Sequence, residues 1–445
     1  MVQLHELRWV GGSMSVERFE NALRCDVKAA CGCTEPVTIA LAACHAARQA
    51  GGTVRKIRLN VSTNLFKNAM EVGIPGTGGA HGIPLAAALG VHAPHATPDL
   101  RLLSSIDAAW LEKARRMVAD GAVQLHIDQK QAGLRIEADV ESDQGTGRAI
   151  IADSHENLTL LEKDGRVVHK VAPKPGSASS EVIERRRAIA EMPFVELYHS
   201  LPLLGRGTRD FLLEGVAMNR KVAEAGLQGE GSLNIGLAYG KLLENGWMGN
   251  DLINRAKLLT SAAVDARMSG CSLPVMTSAG SGNQGLTVTL PLFILAEQLR
   301  STQDQLTEAL ALAHAVTSIL KYHTGTLSAM CGCVVCAGSG LTAGAAHLLG
   351  GGLDTIGAAV NNMVASITGI ICDGAKVGCA VKLVCAVDAA FQGAFMAMEG
   401  LRLPLSNGVI GNTIEESLRN IGRIAAPGML ETDEQILAIM VGKPS

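Results

Sequence analysis

The chain has 445 residues with 39 basic and 42 acidic side chains, and its formal net charge is −3 at neutral pH. This length is enough for two or three domains, each able to bury a core of its own. Aromatic residues make up only 3% of the chain and no basic run stands out, so nucleic acid is not an expected partner. Charged residues interrupt the most apolar stretches within about 18 positions, so we expect no membrane-spanning helix.

The cysteine content bears on the cellular compartment. The chain holds 11 cysteines, an odd number, and its first 14 residues lack the apolar segment of a secretory signal. Free thiols in this number indicate a reducing environment, so we expect a cytoplasmic protein.

Residues 15–52 are predicted to form two helices that pack with a helical domain farther along the chain. The first begins near Val16, continues to about residue 30 and breaks at the CGC sequence of residues 31–33. The second is expected to start with Thr34 as its N-cap and Pro36 in its first turn. This places Cys33 beside the positive end of a helix dipole, which lowers the pKa of a thiol and favours the reactive thiolate. A small buried residue at a helix start is the alternative interpretation.

Residues 53–172 are predicted to form a smaller α/β module. Alternating and β-branched residues indicate strands near 54–61, 122–127, 133–140, 148–152 and 158–170, with helices at 83–90 and 104–119. A glycine-rich segment, residues 72–82, follows the first strand. Its spacing fits neither a dinucleotide-binding fingerprint nor a phosphate-binding loop, so we interpret it as a closely packed turn with His81 in a structural role.

Residues 172–180 have the composition of a linker, and 181–445 are predicted to be almost entirely helical apart from a polar stretch at 269–285. The expected fold class is therefore α+β, with a predominantly helical domain and a smaller inserted α/β module. Helices are predicted at 181–190, 193–202, 205–226, 231–245, 249–268, 289–298, 302–322, 326–349, 353–370, 375–399 and 412–424.

Cysteines in the helical part have the chemistry of cluster ligands. Cys372 and Cys379 would stand ~10 Å apart on an unbroken helix. Gly374 and Gly378 between them allow a tight loop, which brings the sulfurs together and offers backbone N–H groups to a cluster.

A second cysteine group, Cys331, Cys333 and Cys336, has C-x-C-x-x-C spacing, which fits neither common cluster motifs nor zinc ribbons. Cysteines this close on one helix cannot all face one ion, so one is the expected ligand and the others pack in the core. A structural zinc site is the alternative for this group.

The best candidate for small-molecule binding combines Arg267 with the turn at 278–285. A guanidinium can pair with a carboxylate through two hydrogen bonds, and a turn rich in glycine and serine exposes several N–H groups. Asn283 and Gln284 add side-chain donors, although a surface loop is the alternative. Lys376 and Lys382 have no phosphate-binding loop assigned to them, so pyridoxal phosphate is not expected.

Five separated motifs together resemble the L-cysteine desulfidase family, which is related to the iron–sulfur L-serine dehydratases. They are KAACGCTEP at 28–36, DARM at 265–268, SGNQG at 281–285, LSAMC at 327–331, and ICDGA at 371–375 with GCA at 378–380. The resemblance covers essentially the whole chain after residue 14, in the family's order of thiol motif, α/β insertion and helical cluster domain. Residues 75–82 are similar, more loosely, to the small domain of the serine dehydratases.

The resemblance implies a [4Fe–4S] enzyme that splits L-cysteine into pyruvate, ammonia and hydrogen sulfide without pyridoxal phosphate. The cluster ligands carry over to Cys331, Cys372 and Cys379, with Cys333 as a substitute for Cys331, and the base carries over to Cys33. A cluster held by three thiolates has one open iron, which can bind the leaving sulfur as a Lewis acid.

In this chemistry Cys33 takes the α-proton of the substrate, and four residues would hold the carboxylate: Arg267, Ser281, Asn283 and Gln284. The same machinery can act on L-serine with water as the leaving group, although iron in a cluster favours a thiolate. A regulatory iron–sulfur protein would instead need a complete four-cysteine shell and a partner surface. The expected partner is a small amino-acid substrate, and a homo-oligomer is compatible with the sequence.

Overall fold

The computed structural model describes residues 12–93, 106–128, 133–153, 155–171, 186–325 and 328–442, together with residues 99, 102, 103, 131 and 184. The linker predicted at 172–180 and the segment before residue 12 lie outside the described residues. Helices dominate the structure and accompany a six-stranded mixed sheet, so the predicted α+β class is confirmed.

The helices are α1 (Gly12–Asp26), α2 (Thr34–Ala50), α3 (Thr63–Ala69), α4 (Ile83–Val91), α5 (Ala108–Ala119), α6 (Phe194–Ser200), α7 (Arg206–Leu227), α8 (Ile235–Glu244), α9 (Leu252–Met268), α10 (Gly282–Leu299), α11 (Gln303–Thr324), α12 (Val335–Leu348), α13 (Leu353–Ile367), α14 (Cys379–Met398), α15 (Ile414–Ala425) and α16 (Leu430–Val441). The strands are β1 (Ala29–Cys31), β2 (Val54–Ser62), β3 (Val123–Asp128), β4 (Arg135–Ser142), β5 (Thr146–Ala152), β6 (Leu158–Lys163), β7 (Arg166–Lys170) and β8 (Pro274–Met276).

The six-stranded sheet has the order β3-β2-β4-β5-β6-β7. Strands β2 and β3 are parallel, and every other neighbouring pair in this sheet is antiparallel. Alternate residues of β2, namely Ile57, Leu59 and Val61, are buried in one apolar core with residues of α2 and α4. The apolar residues that alternate along the predicted strand are therefore the residues that this sheet turns toward its core.

The two N-terminal helices belong to different cores. Helix α1 packs in the large helical core through Phe19 and Leu23, whereas α2 packs against α4 and strands β4 to β6. The prediction that residues 15–52 pack as a unit with the helical domain therefore does not describe α2. The close packing of α2 against α4 and β5 depends on glycine, because a Cβ at Gly90 or Gly147 would lie 2.0 Å from a carbonyl oxygen of α2.

Three segments differ from the predicted elements for identifiable reasons. Residues 29–31 form a strand rather than the end of a helix, because they pair with β8 more than 200 positions away. Helix α10 begins at Gly282 rather than near 289, since its first turn contains residues with low helix propensity that are nevertheless buried. Helix α12 begins at Val335 rather than 326, and the prediction omitted α16.

Helix α14 is the one helix of the described chain that is long and apolar enough to cross a membrane by length and composition. Half of its most apolar stretch is buried, and it packs against α9, α12 and α13. Core helices of globular proteins meet the same criterion, so this helix alone is weak evidence for a membrane span.

Candidate active site

The thiol of Cys33 lies at the start of α2 and is 5% exposed. Cys33, and not Thr34, is the N-cap of α2, and its side chain caps no helix N–H group. Instead, Cys33 Sγ donates a hydrogen bond to Glu35 Oε2 at 2.8 Å. Burial first, and then the negative charge of Glu35, raises the pKa of Cys33 well above its usual range. The predicted lowering of this pKa by the helix dipole is therefore wrong.

The carboxylate of Glu35 connects Cys33 to a histidine that the sequence analysis missed. His155 Nε2 lies 3.1 Å from Thr34 Oγ1 and 3.9 Å from Glu35 Oε1. Burial raises the pKa of Glu35, but hydrogen bonds and charge from His155, together with the bond from Cys33, outweigh burial and lower it to about 2. The side chain of His155 is 31% exposed, so the three groups lead from the buried thiol to the protein surface.

The thiols of Cys331 and Cys372 lie side by side. An isolated antiparallel bridge between Met330 and Ile371 aligns the two segments that carry them. Cys333 and Cys372 both pack against Cys331. The interaction with Cys333, and then burial, raises the pKa of Cys331 to about 12 against a lowering contribution from Cys372. Because α12 starts after Cys331 and Cys333, the expectation that one helix carries both of them is wrong.

Cys372 and Cys379 are joined by a loop rather than by an unbroken helix, since α14 begins only at Cys379. Gly374 in this loop has φ 94°, and a Cβ there would lie 1.9 Å from Lys67 O. The position therefore requires glycine both for its backbone conformation and for its close approach to the segment after β2. Burial raises the pKa of Cys379, and the neighbouring charge of Cys372 raises it further.

The three candidate cluster ligands, Cys331, Cys372 and Cys379, lie near one another. Within the described residues, no group of three or more His, Cys, Asp or Glu side chains is arranged to hold a single metal ion. Cys331 and Cys372 nevertheless pack together, and Cys379 is within electrostatic range of Cys372. A cluster distributes its thiolates over different irons, so its ligands need not surround one point. The three thiols fit a cluster in donor chemistry and in adjacency, and Cys333 remains the substitute for Cys331.

Two lysines near these thiols are occupied by a carboxylate. Asp373 forms ion pairs with Lys376 and with Lys382, and Lys382 Nζ also donates to Ile371 O at 3.1 Å. Burial raises the pKa of Asp373, but the two lysines outweigh burial and lower it to about 2. The ion pairs fix the loop that carries Cys372, and the three groups together keep one net positive charge.

Arg267 binds the backbone next to Cys33. It is buried at the end of α9, where its Nη2 donates to Gly32 O at 2.8 Å and its Nη1 donates to Asn283 Oδ1 at 3.0 Å. Asn283 Nδ2 in turn donates to Met268 Sδ at 3.3 Å. Each of these bonds uses one of the two N–H groups on its nitrogen, and Nε has no hydrogen-bond partner among the described residues. Arg267 is thus anchored to the Cys33 loop and keeps N–H donors that are not used by the protein.

Gln284 and Ser281 lie at the start of α10. Gln284 is buried and its Oε1 has no hydrogen-bond partner among the described residues. A Cβ at Gly332, between the two cysteines 331 and 333, would lie 2.9 Å from Gln284 Nε2. Ser281 is the N-cap of α10, but its side chain makes no capping hydrogen bond. Its backbone exchanges two hydrogen bonds with Ser278. Three of the four predicted binding residues thus have contacts that link them to the thiol segments.

The glycine-rich segment 72–82 packs against the same region. Gly73 N donates to Met268 O at 2.8 Å, and a Cβ at Gly32 would lie 2.2 Å from Pro75 Cγ. Gly32 also has φ 63°. This position therefore requires glycine both for its backbone conformation and for its close approach to Pro75. The contacts agree with the interpretation of the segment as a closely packed turn that holds the Cys33 loop.

The structure combines a helical domain that contains neighbouring thiols with an α/β module. At their boundary, a further thiol is hydrogen-bonded to a carboxylate. These features define a class of thiol-rich α+β proteins. The serine dehydratase alpha chain family matches residues 204–438, which include Arg267, Gln284 and the three candidate cluster cysteines. The chain belongs to this family.

Similarity to other proteins extends over nearly the whole chain. A UPF0597 protein of Clostridioides difficile strain 630 is 39% identical over 419 residues, which cover 94% of this chain and 98% of that protein. UPF0597 proteins of Desulfatibacillum aliphaticivorans and Desulfotalea psychrophila are each 37% identical, over 429 and 431 residues, covering 95% of this chain and 98% of each relative. The similarity therefore includes the α/β module as well as the helical part.

Proposed function

We propose that this protein is an iron–sulfur-dependent lyase that degrades L-cysteine to pyruvate, ammonia and hydrogen sulfide without pyridoxal phosphate. The observation that carries the proposal is the placement of Cys33, hydrogen-bonded to Glu35, in the same buried cluster as Cys379. The paired thiols of Cys331 and Cys372 are connected to that cluster through Cys333. One region thus combines a proton-transfer group with candidate ligands for a Lewis acid.

The residues that would hold a [4Fe–4S] cluster are Cys331, Cys372 and Cys379. When bound, such a cluster supplies an iron without a protein ligand, which can accept the departing sulfur of the substrate. The cysteines with described side chains are free thiols, which supports the cytoplasm as the location of the protein.

The protein's own residues account for the proton transfer. As the Cα–H bond of the substrate breaks, its proton goes to Cys33 Sγ. The proton already on Sγ passes along the existing hydrogen bond to Glu35 Oε2 and from Glu35 to His155. The electron pair of the Cα–H bond forms the Cα–Cβ double bond while sulfide leaves from Cβ. This relay needs no free thiolate beforehand, which is consistent with the raised pKa of Cys33. His155 next to Glu35 provides a route for the proton to solvent.

Substrate orientation falls to the residues around the Cys33 loop. Arg267 fixes Gly32 and thereby the direction of the Cys33 thiol, so we assign it a positioning role. Gln284 has an unused amide that can bind substrate directly, and Asn283 holds the guanidinium of Arg267. Ser281 adds a hydroxyl at the start of α10. The released aminoacrylate would hydrolyse in water to pyruvate and ammonia.

L-Serine dehydration is the second candidate function, favoured by membership of the serine dehydratase alpha chain family. It would use the same residues with water as the leaving group. A soft iron site favours sulfur over oxygen as the departing atom, which places L-cysteine first. A regulatory iron–sulfur protein is the remaining alternative.

The test is a product assay on protein reconstituted anaerobically with iron and sulfide. Pyruvate and sulfide are quantified after incubation with L-cysteine and, in parallel, with L-serine. Equal amounts of pyruvate and new sulfide from L-cysteine, with little pyruvate from L-serine, are expected. Pyruvate mainly from L-serine would assign the protein to serine dehydration, and neither product from cluster-loaded protein would favour the regulatory function.

A further inference from the structure

Lys321, in the last turn of α11, is a buried cation without a partner in the part of the chain that the structure describes. Its side chain is 8% exposed, and it has no hydrogen bond or ion pair with any described residue. The other buried lysines and arginines of the described chain are all bound: Lys67 to Asp433, Arg186 to Asp26, and Arg267 to Gly32 and Asn283. Burying an ammonium group without a counterion is energetically costly. A buried lysine at this position therefore indicates that a bound anion pairs with its ammonium group.

The ammonium of Lys321 and the amide of Gln284 face the same backbone position. A Cβ at Gly332 would lie 3.3 Å from Lys321 Nζ and 2.9 Å from Gln284 Nε2. Gly332 directly follows Cys331, so both groups lie beside a candidate cluster ligand. A charged donor and a neutral donor that converge on one place form a site for an oxyanion.

We propose that Lys321 binds the α-carboxylate of the substrate, with Gln284 donating a second hydrogen bond; this inference rests on the proposed function. Arg267, the residue that the sequence favours for this task, is instead anchored to Gly32 of the Cys33 loop and to Asn283. The thiol of Cys336 lies within electrostatic range of Lys321, but burial raises the pKa of Cys336, so this thiol supplies no negative charge to balance the ammonium. The binding site for the carboxylate is therefore built from α11 and α10 rather than from α9.

The test measures affinity rather than turnover. In the cluster-loaded Cys33→Ala protein, which lacks the proton acceptor, isothermal titration gives the dissociation constants of L-cysteine and of cysteamine, which lacks the carboxylate. Adding Lys321→Met should weaken L-cysteine binding roughly 10- to 100-fold, as expected for a hydrogen bond to a charged group. Cysteamine binding should change less than about twofold. Lys321→Gln serves as a second variant, and Lys241→Met, on the exposed face of α8, is the matched control.

Two further measurements separate this inference from the function on which it rests. Pyruvate, the product of both candidate reactions, should raise the melting temperature of wild-type protein but not that of Lys321→Met. If cysteine is not a substrate, the pair L-serine and ethanolamine replaces the first pair. Unchanged amino-acid affinity in Lys321→Met, or an equal loss for amino acid and amine, would overturn the assignment. Without ligand, Lys321→Met should melt no lower than wild type, whereas a purely structural role predicts a lower melting temperature.

Discussion

Single side chains decide how protons move in the candidate active site. Cys33 has a buried thiol whose hydrogen bond points to Glu35, and Glu35 is held as a carboxylate by His155 and by Cys33 itself. A carboxylate in this position receives the thiol proton at the moment when the thiol receives another. In the proposed function the catalytic unit is therefore the pair of Cys33 and Glu35, and a thiol with a lowered pKa is not required.

The Glu35→Gln variant tests this unit. Glutamine keeps the shape and can accept the hydrogen bond but cannot take up the proton, so kcat should fall about 100-fold with KM little changed. Iron content should remain that of the wild type, since Glu35 is not a candidate ligand. Glu244→Gln, at the exposed end of α8, is the matched control and should keep full activity. Wild-type kcat in Glu35→Gln would contradict the relay.

The same carboxylate predicts a pH dependence of stability. Its pKa is lowered from an ordinary value of 4.5 to about 2, so its ionised form contributes stability above pH 4.5 that is lost as the pH falls toward 2. The contribution is on the order of 3 kcal/mol at neutral pH. The difference in free energy of unfolding between wild type and Glu35→Gln should shrink between pH 4.5 and 2. A difference independent of pH in that range would show that Glu35 stabilises by packing alone.

Candidate site residues could be predicted from the sequence where they lie in a local motif. They could not be predicted where only contacts between distant segments of the chain bring them to the site. Cys33, Arg267 and Gln284 were chosen from motifs, and the structure connects them to the thiol region. His155 and Lys321 lie in segments with no motif, and only tertiary packing brings them to that region. The contacts also alter the role of Arg267, because a hydrogen bond to Gly32 cannot be read from local sequence.

Among the elements, the loop between Cys372 and Cys379 has the clearest link between geometry and function. Gly374 has φ 94° and approaches Lys67 O, whereas Gly378 has φ −60° and the nearest atom to a Cβ there is 4.0 Å away. Two glycines four positions apart therefore have different requirements. Only the first fixes the path of the loop against the α/β module.

Alanine substitutions at these two glycines form a matched pair. Gly374→Ala should destabilise the protein by roughly 2 kcal/mol or more, because it combines a strained backbone with a steric clash. It should also reduce the iron bound after reconstitution several-fold, since Cys372 and Cys379 are displaced together. Gly378→Ala should keep its iron and its melting temperature. Equal iron content in the two variants would show that the path of this loop does not govern cluster loading.

Elements were predictable where apolar periodicity is long and local. Most helices from α7 to α15 begin and end within a few residues of the prediction, because each presents a continuous buried face. Strand β1 was missed because three residues carry no period and depend on β8. Helix α16 was missed because its short apolar face is stabilised by packing near α3, which adjacent sequence does not reveal.

At the scale of the whole molecule, two apolar cores meet at the thiol region. One core is helical, and the other contains the sheet with α2, α4 and α16. Lys67 is 1% exposed and lies at this junction, with its Nζ paired to Asp433 and its carbonyl oxygen against Gly374. Lys67 and Lys321 are both buried cations, but among the described residues only Lys67 has a counterion, which agrees with a structural role for Lys67 and with the proposed ligand-binding role for Lys321.

The Asp433→Asn variant tests the structural assignment of Lys67. Removing one partner of a buried ion pair leaves an uncompensated charge, so the free energy of unfolding in urea should fall by about 3–5 kcal/mol. The double variant Lys67→Met with Asp433→Leu should recover most of this loss, because the charge is removed together with its partner. Glu191→Gln breaks the exposed pair with Arg187 and should cost less than about 1 kcal/mol. If Asp433→Asn costs no more than Glu191→Gln, the pair does not join the two cores, and the contact of Gly374 with Lys67 O must hold the junction instead.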